Sequence, residues 1–401
     1  MEVKAGYKHT EAGVIPEGWD EEKLGNFISL QRGHDLTWRD RRRGDIPVMG
    51  SAGQNGFHDT AIAKGPGVVL GRSGASFGQA HYCEHDFWPH NTALYVTDFR
   101  GNDPLFVFYF LSAIDFSRHN SGGAQQSLNR NFIAPVPVVV PRPPEQRAIA
   151  TVLSDVDALL SSLRSLIAKK RDLKKAAMQQ LLTGKTRLPG FNAEWDLMTL
   201  GGLGSTFGGL TGKTKADFGE GSGRYIPFMN IMTNVVIDCD ALEQVKIRPR
   251  ETQNRVLKGD LLFNGSSETP EEVAMCAVLT ADVQDLFLNS FCFGFRFRDG
   301  AEADGLFLAY YFRSNEGREL IKSLAQGSTR YNLSKTVFLK SPLRLPARPE
   351  QTAIASVLTD MDAVLVALEQ RLAKTRDIKQ AMMQELLTGK TRLVSSEASH
   401  A

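Results

Sequence analysis

The chain holds 401 residues, with 47 lysines and arginines against 45 aspartates and glutamates, for a formal net charge of +2. This is the composition of an ordinary globular protein with room for two or three domains, and a balance so close to neutral does not by itself establish nucleic-acid binding. The four cysteines (Cys83, Cys239, Cys276, Cys292) are scattered without a CxxC pair, the N-terminal residues lack the apolar stretch of a signal peptide, and no run of eighteen apolar residues occurs; these features predict a soluble, cytoplasmic protein with reduced thiols.

Residues 1–143 read as a first globular domain. Short apolar or alternating runs at 68–70 and 93–97 predict strands, and the aromatic-rich stretch 105–116 predicts a helix that buries its rings. The prolines of 135–141 refuse a helix, so this segment is extended and leads out of the globule.

Residues 144–188 form one copy of an internal repeat, whose second copy is 349–393; 29 of the 45 aligned positions are identical without a gap. Each copy opens on proline (Pro144, Pro349) and glutamate (Glu145, Glu350), which suit the positive end of a helix dipole. Apolar residues follow at heptad spacing: Val152, Leu159, Leu166 and Leu173 with Val156 and Leu163, flanked by a row of Leu153, Leu160, Ile167 and Leu181. The second copy repeats the pattern, and both stop at Thr-Gly (Gly184, Gly389). Such helices run about 36 residues and roughly 54 Å, and they read as too polar to span a membrane. Packed antiparallel on each other, they relate the two halves by a pseudo-twofold axis and hold the globules apart.

Residues 189–348 read as a second globule on the same plan, with about thirty residues inserted. Trp19-Asp20 recurs as Trp195-Asp196, Ile46-Pro47 as Ile226-Pro227, Val69-Leu70 as Leu261-Leu262, Leu105-Phe106 as Leu306-Phe307, and Ser127-Leu128 as Asn332-Leu333. Strands are predicted at 261–263 and 291–297, a helix at 306–323, and an extended exit at 342–346. The tail 394–401 is small and polar and reads as disordered. The fold class is therefore α+β: two mixed globules separated by two long repeated helices in an antiparallel coiled coil.

Catalytic motifs do not stand out. Three Gly-Lys-Thr triplets (at Gly184, Gly212 and Gly389) lack the first glycine of a P-loop, and two of them end helices rather than start one. His81, Cys83 and His85 alternate along one strand but have no second ligand pair, so strand and loop is the better reading than metal. Asp172-Leu173-Lys174 and Asp377-Ile378-Lys379 resemble a nuclease carboxylate–lysine pair but lie on amphipathic helices. The positive signal is in polar and basic loops, because Arg, Asn and Gln read base edges while Lys, Ser and backbone N–H groups hold phosphates. The candidate DNA-binding residues are Arg32, Arg39, Arg41, Arg42, Arg43, Arg72, Ser73, Gln126, Ser127, Asn129 and Arg130 in the first globule. In the second they are Lys213, Lys215, Asn264, Ser266, Arg330, Tyr331, Asn332 and Lys335. Lys169, Lys170, Arg171, Lys174, Lys175, Arg371, Lys374 and Arg376 on the helices are candidate partner contacts.

The duplicated PEQ…LLTGKTRL helix, the opening Ile15-Pro16-Glu17-Gly18-Trp19, the run Phe87-Trp88-Pro89-His90-Asn91-Thr92 and the paired SLN and YNLS loops together resemble the specificity subunit of type I restriction-modification systems, over the whole length. The resemblance implies two target-recognition domains that each read half of a bipartite DNA site, with the helices as a ruler. It also implies two methyltransferase subunits and motor-nuclease restriction subunits as partners, with S-adenosylmethionine, ATP and Mg²⁺ bound by those partners and no cofactor in this chain. A coiled-coil scaffold with two protein-binding globules, or an enzyme with an unrecognised site, are the competing readings.

Overall fold

The computed structural model describes residues 6–10, 13–120 and 126–393; residues 121–125 of the first polar loop and the tail 394–401 lie outside them. The chain divides into two compact units, Met1–Arg164 with Gln370–Ala401, and Ser165–Glu369. Each unit holds one globule together with half of each long helix, so the division cuts across the linear order of globule and helix.

The first unit is built on a four-stranded antiparallel sheet in the order Ser29–Arg32, Ala93–Asp98, Gly67–Gly71, Ala80–Cys83. Gly67–Gly71 is buried along its whole length, which fits its run of apolar residues in a strand covered on both faces. The helix Pro104–Ala113 covers the sheet. It starts where Asp103 accepts a hydrogen bond from the Phe106 N–H at 2.9 Å. The strand Ile46–Gly50 pairs antiparallel with Gly53–His58 and parallel with Trp88–Pro89. Pro137–Val140, the expected extended exit, pairs antiparallel with Asp20–Lys23.

The second unit repeats this order with its own residues. Its central sheet runs Gly204–Gly208, Cys292–Phe297, Leu261–Asn264, Cys276–Val278. The exit Pro342–Leu345 pairs with Asp196–Thr199, and Phe218–Ile226 pairs parallel with Leu286–Leu288. Its core is a phenylalanine cluster in which Phe263 stacks on Phe293 at 5.0 Å and meets Phe312 and Phe338 edge-on. The single helix expected over 306–323 is two, Gly305–Arg313 and Asn315–Leu324. Ser314 leaves helical geometry, and its hydroxyl accepts from the Gly317 N–H at 3.2 Å to cap the second helix.

The repeats are helices Pro143–Leu181 and Arg348–Leu386, each 39 residues. Within each unit their halves run antiparallel, because partner numbers fall on one helix as they rise on the other. In the first unit Arg392, past the end of one helix, forks onto Glu145 at 2.5 and 2.7 Å, and Lys379 donates to Asp157 at 2.7 Å. In the second, Arg187 forks onto Glu350 at 2.6 Å twice, and Lys174 donates to Asp362. The buried apolar row is Leu153, Leu160, Leu163 and Ile167, whereas Leu159, Leu166 and Leu173 of the expected seam are 40%, 39% and 47% exposed. Each helix half must also pack on its globule, which rotates the buried stripe away from the strict heptad row.

Arg348–Leu386 is long and apolar enough to cross a membrane by length and composition alone. The expectation that both helices are too polar for this is therefore corrected for the second. Its apolar residues serve a protein core: Ile354, Ala355 and Leu358 lie buried in the second unit's main cluster.

Candidate nucleic-acid interface

The repeated PEQ and TGKTR ends are clasps. Gln146 accepts from the Asp103 N–H at 2.9 Å and donates to the Pro141 carbonyl at 2.9 Å, tying the helix start to its own globule; Gln351 does the same with Asp304 and Pro346 at 2.8 and 2.7 Å. Glu145 also accepts from the Trp19 indole at 2.9 Å. The Gly-Lys-Thr triplets thus serve chain construction. The Lys213 side chain is only 3% exposed and its ammonium is held by Glu251 and the Lys246 carbonyl, which removes it from the candidate DNA contacts. Lys174, 18% exposed and paired with Asp362, is likewise an internal brace and not a partner contact.

In the first unit the loop after a central strand meets the loop before the exit strand. Gly67–Gly71 runs into Arg72 and Ser73, and Ser73 bridges to Ser127. The Leu128 N–H donates to the Arg72 carbonyl at 2.8 Å, and Leu128 is fully buried. Around this junction opens a cleft of about 660 Å³ lined by Gln31, Arg32, His34, Asp35, Arg72, Ser127, Asn129 and Arg130 among others. Five of the candidates therefore line one cleft. Arg32 and Arg72 both donate to the Asn91 carbonyl at 3.4 Å, and Arg130 donates to the Leu30 carbonyl at 3.3 Å. These bonds fix the guanidinium groups without neutralising them. Asn129 caps the short helix Arg130–Ile133, and Gln126 is exposed beside the junction.

The other arginines do not line this cleft. Arg41 forks onto the Asn55 carbonyl and side-chain oxygen at 2.8 and 3.0 Å. Arg42 pairs with Asp59 at 2.8 Å, Arg39 lies over the Trp38 ring at 5.3 Å, and Arg43 is exposed. Burial first, and then the charge of Arg41, lower the pKa of His90.

The second unit builds the same junction. Ser266–Ser267, just after the strand Leu261–Asn264, pairs antiparallel with Tyr331–Leu333, with Ser266 opposite Asn332. The Arg330 guanidinium donates to the Ser266 hydroxyl at 3.2 Å, and Lys335 lies over the Phe293 ring at 5.6 Å. Ser266, Arg330, Tyr331 and Asn332 thus meet at one strand pair, and Lys335 opens the helix that follows. Asn264 is not among them: it is fully buried, donates to the Ser266 and Glu272 carbonyls at 3.1 and 3.0 Å, and accepts from the Met275 N–H at 2.6 Å. Its amide holds the loop and is closed to DNA. Lys215 is exposed in a short turn before the separate strand Phe218–Ile226.

The His81, Cys83 and His85 run is taken up locally. His81 Nε2 is 2.9 Å from the Ser51 carbonyl, the strand ends at Cys83, and burial pushes the Cys83 thiol up to about 12.

A family model described as type I restriction modification DNA specificity domain matches residues 16–169 and 192–376. The chain belongs to the type I restriction-modification DNA specificity family. It is 22% identical over 423 residues to the type I restriction enzyme MjaVIII specificity subunit of Methanocaldococcus jannaschii, covering 96% of both chains. It is 24% identical over 145 residues to the EcoprrI specificity subunit of Escherichia coli, covering 35% of this chain and 36% of that one. Among solved structures, the S subunit of a type I system from M. genitalium superposes with a TM-score of 0.59 at 14% identity, covering 96% of this chain and 98% of that chain. The HsdS subunit of Thermoanaerobacter tengcongensis gives 0.50 at 16% identity, with 94% and 98% covered. These likenesses share the fold, with two globules and two long helices. This specificity subunit matches the family model once per half, each time over a globule and most of the helix that follows it.

Two features of the site were not among the sequence candidates. Asn91 bonds three residues of the first cleft, accepting from Arg32 and Arg72 at its carbonyl and donating to Asp35, and its one signal in the sequence is its place in Phe87-Trp88-Pro89-His90-Asn91-Thr92. Asp35 lines the cleft directly, with no periodic or motif signal at all.

Proposed function

We propose that each polar junction reads one half of an asymmetric bipartite DNA site, and that the paired long helices set the spacing between the halves. The observation that carries this reading is the recurrence of one junction, a loop after a central strand joined to the loop before the exit strand, with different side chains in each globule: Arg72, Ser127, Asn129 and Arg130 in one, Ser266, Arg330, Tyr331 and Asn332 in the other. A shared backbone with unlike polar groups suits two readers of unlike sequences. Arginine and asparagine can pair bidentately with base edges, and the remaining cations hold phosphates.

On this reading the subunit works in the cytoplasm and carries no chemistry of its own. Two methyltransferase subunits and the restriction subunits supply it, and S-adenosylmethionine, ATP and Mg²⁺ bind to them. The exposed cations Lys169, Arg171, Lys175, Arg371, Lys374 and Arg376 and the exposed Leu166, Leu173 and Val364 offer those partners charged and apolar contacts. Co-expression with the cognate methyltransferase subunit, followed by sequencing of methylated adenines, tests the proposal. A bipartite, asymmetric motif is expected, and methylation without such a motif would refute it.

A further inference from the structure

The first cleft contains a carboxylate that phosphate binding does not account for. Asp35 lines it beside Arg32, Arg72 and Asn129, with its side chain 75% exposed. An acid among phosphate-binding cations weakens general DNA affinity, since it repels the backbone that the cations attract. Its surroundings nevertheless hold it in place. The Gly33 N–H donates to the Ala93 carbonyl at 2.9 Å, the His34 N–H donates to the Pro89 carbonyl at 2.8 Å, and Leu36 is buried. A Cβ on Gly33 would lie 2.2 Å from the His90 carbonyl oxygen, so only glycine lets the two backbones come this close. The Asn91 amide donates to Asp35 Oδ1, and Arg32 lies 3.9 Å from the same oxygen. Among the described residues, Oδ2 has no such partner and stays free to accept a hydrogen bond.

The second unit repeats the anchored turn. The Gly209 N–H donates to the Cys292 carbonyl at 3.2 Å, the Leu210 N–H to the Leu288 carbonyl at 2.8 Å, and a Cβ on Gly209 would lie 2.0 Å from the Asn289 carbonyl oxygen. Thr211 stands where Asp35 stands in the first unit. It is exposed, and its N–H and carbonyl bond the Gln253 side chain at 3.1 and 2.8 Å. A rigid post that carries a different exposed side chain in each globule is suited to discrimination.

We infer that Asp35 is a base-reading residue of the first globule, accepting a hydrogen bond from the exocyclic amino group of a cytosine or adenine in the major groove; this rests on the first cleft binding DNA. The amino group is a donor that a fixed carboxylate accepts, whereas a keto oxygen of thymine or guanine would set acceptor against acceptor. Asp35 therefore selects one class of base edge and rejects the other.

The test is binding of the assembled complex with its methyltransferase subunits to duplexes carrying each base pair at every half-site position. The wild-type complex should favour the amino-bearing base by about tenfold or more at one position of the first half-site. Asp35→Asn, whose amide both donates and accepts, should reduce that preference to about twofold. Asp35→Ala should lose it without gaining another, and both variants should keep full discrimination in the second half-site. If both variants retain the wild-type preference at every position, the inference is overturned; stronger binding to all duplexes alike would then identify Asp35 as a charge partner of Arg32. A wild-type complex that discriminates nowhere would overturn the DNA-reading assignment beneath it as well.

Discussion

The first unit leaves three arginines at the mouth of a cleft, whereas the second turns several of its cations inward. Arg32, Arg72 and Arg130 each lend a donor to a backbone carbonyl and remain at the cleft. In the second unit Arg313 donates to the carbonyls of Cys276, Ile231 and Asn234, and Arg318 to those of Glu271, Val273 and Ala274. Burial pulls both guanidinium groups down, Arg318 to about 10. These two side chains stitch loops on either side of the central sheet, in the globule where the sequence predicts the insertion. The comparison teaches that the elements common to both units build the molecule, while the elements that differ are where reading can diverge.

The largest expected effect lies in the common part. Glu145 and Glu350 are 5% and 2% exposed at their side chains, so removing the forked arginine strands a buried carboxylate. Arg392→Ala should cost about 3–5 kcal/mol, read by denaturant unfolding, and Arg187→Ala should act in the same direction. A loss under about 1 kcal/mol for Arg392→Ala would show that the clasp does not hold the first unit together.

The helix pair gives a geometric effect. Deleting one heptad from both helices removes about 10 Å of rise per helix, so the methylated motif should lose roughly three base pairs of spacer at about 3.4 Å each while its half-sites stay the same. An unchanged spacer would refute the ruler.

A smaller effect separates the units by pH. The hydrogen bond from Lys213, chiefly, holds Glu251 down from 4.5 to about 2. A carboxylate with a lowered folded-state pKa adds stability that is present above its unfolded value and lost as pH falls toward the folded one. Wild-type stability should therefore fall between about pH 4.5 and 2, and Glu251→Gln should flatten that part of the profile. An unchanged slope would contradict the assignment. The smallest effect is expected at the exposed pair Arg171–Glu369, 63% and 44% exposed, where Arg171→Ala should cost under about 1 kcal/mol in the same unfolding measurement.

Much of the frame was legible in the sequence because it is written twice. The long helices, their starts at Pro-Glu-Gln, the extended exits and the central strands all followed from repetition and from proline and apolar spacing. The proline starts and the stops before Thr-Gly hold, but the pairing of Glu145 with Arg392 left no local signal, because the two lie 247 residues apart. The cleft was legible only in part. Arg72 and Arg130 stood out by charge, but Asn264 and Lys213 have the same polar character and point inward. A polar side chain in a loop can satisfy its own backbone as readily as a ligand, and only the fold distinguishes the two. Asp35 left no trace in composition, since its role depends on Gly33 and Asn91 placing it.

If each globule reads its own half-site, the two readers must be independent of each other. Methylated-adenine sequencing of complexes carrying Arg130→Ala or Arg330→Ala would measure it. Each change should degrade one half of the bipartite motif and leave the other half intact, the two variants affecting opposite halves. Equal weakening of both halves by either variant would contradict it.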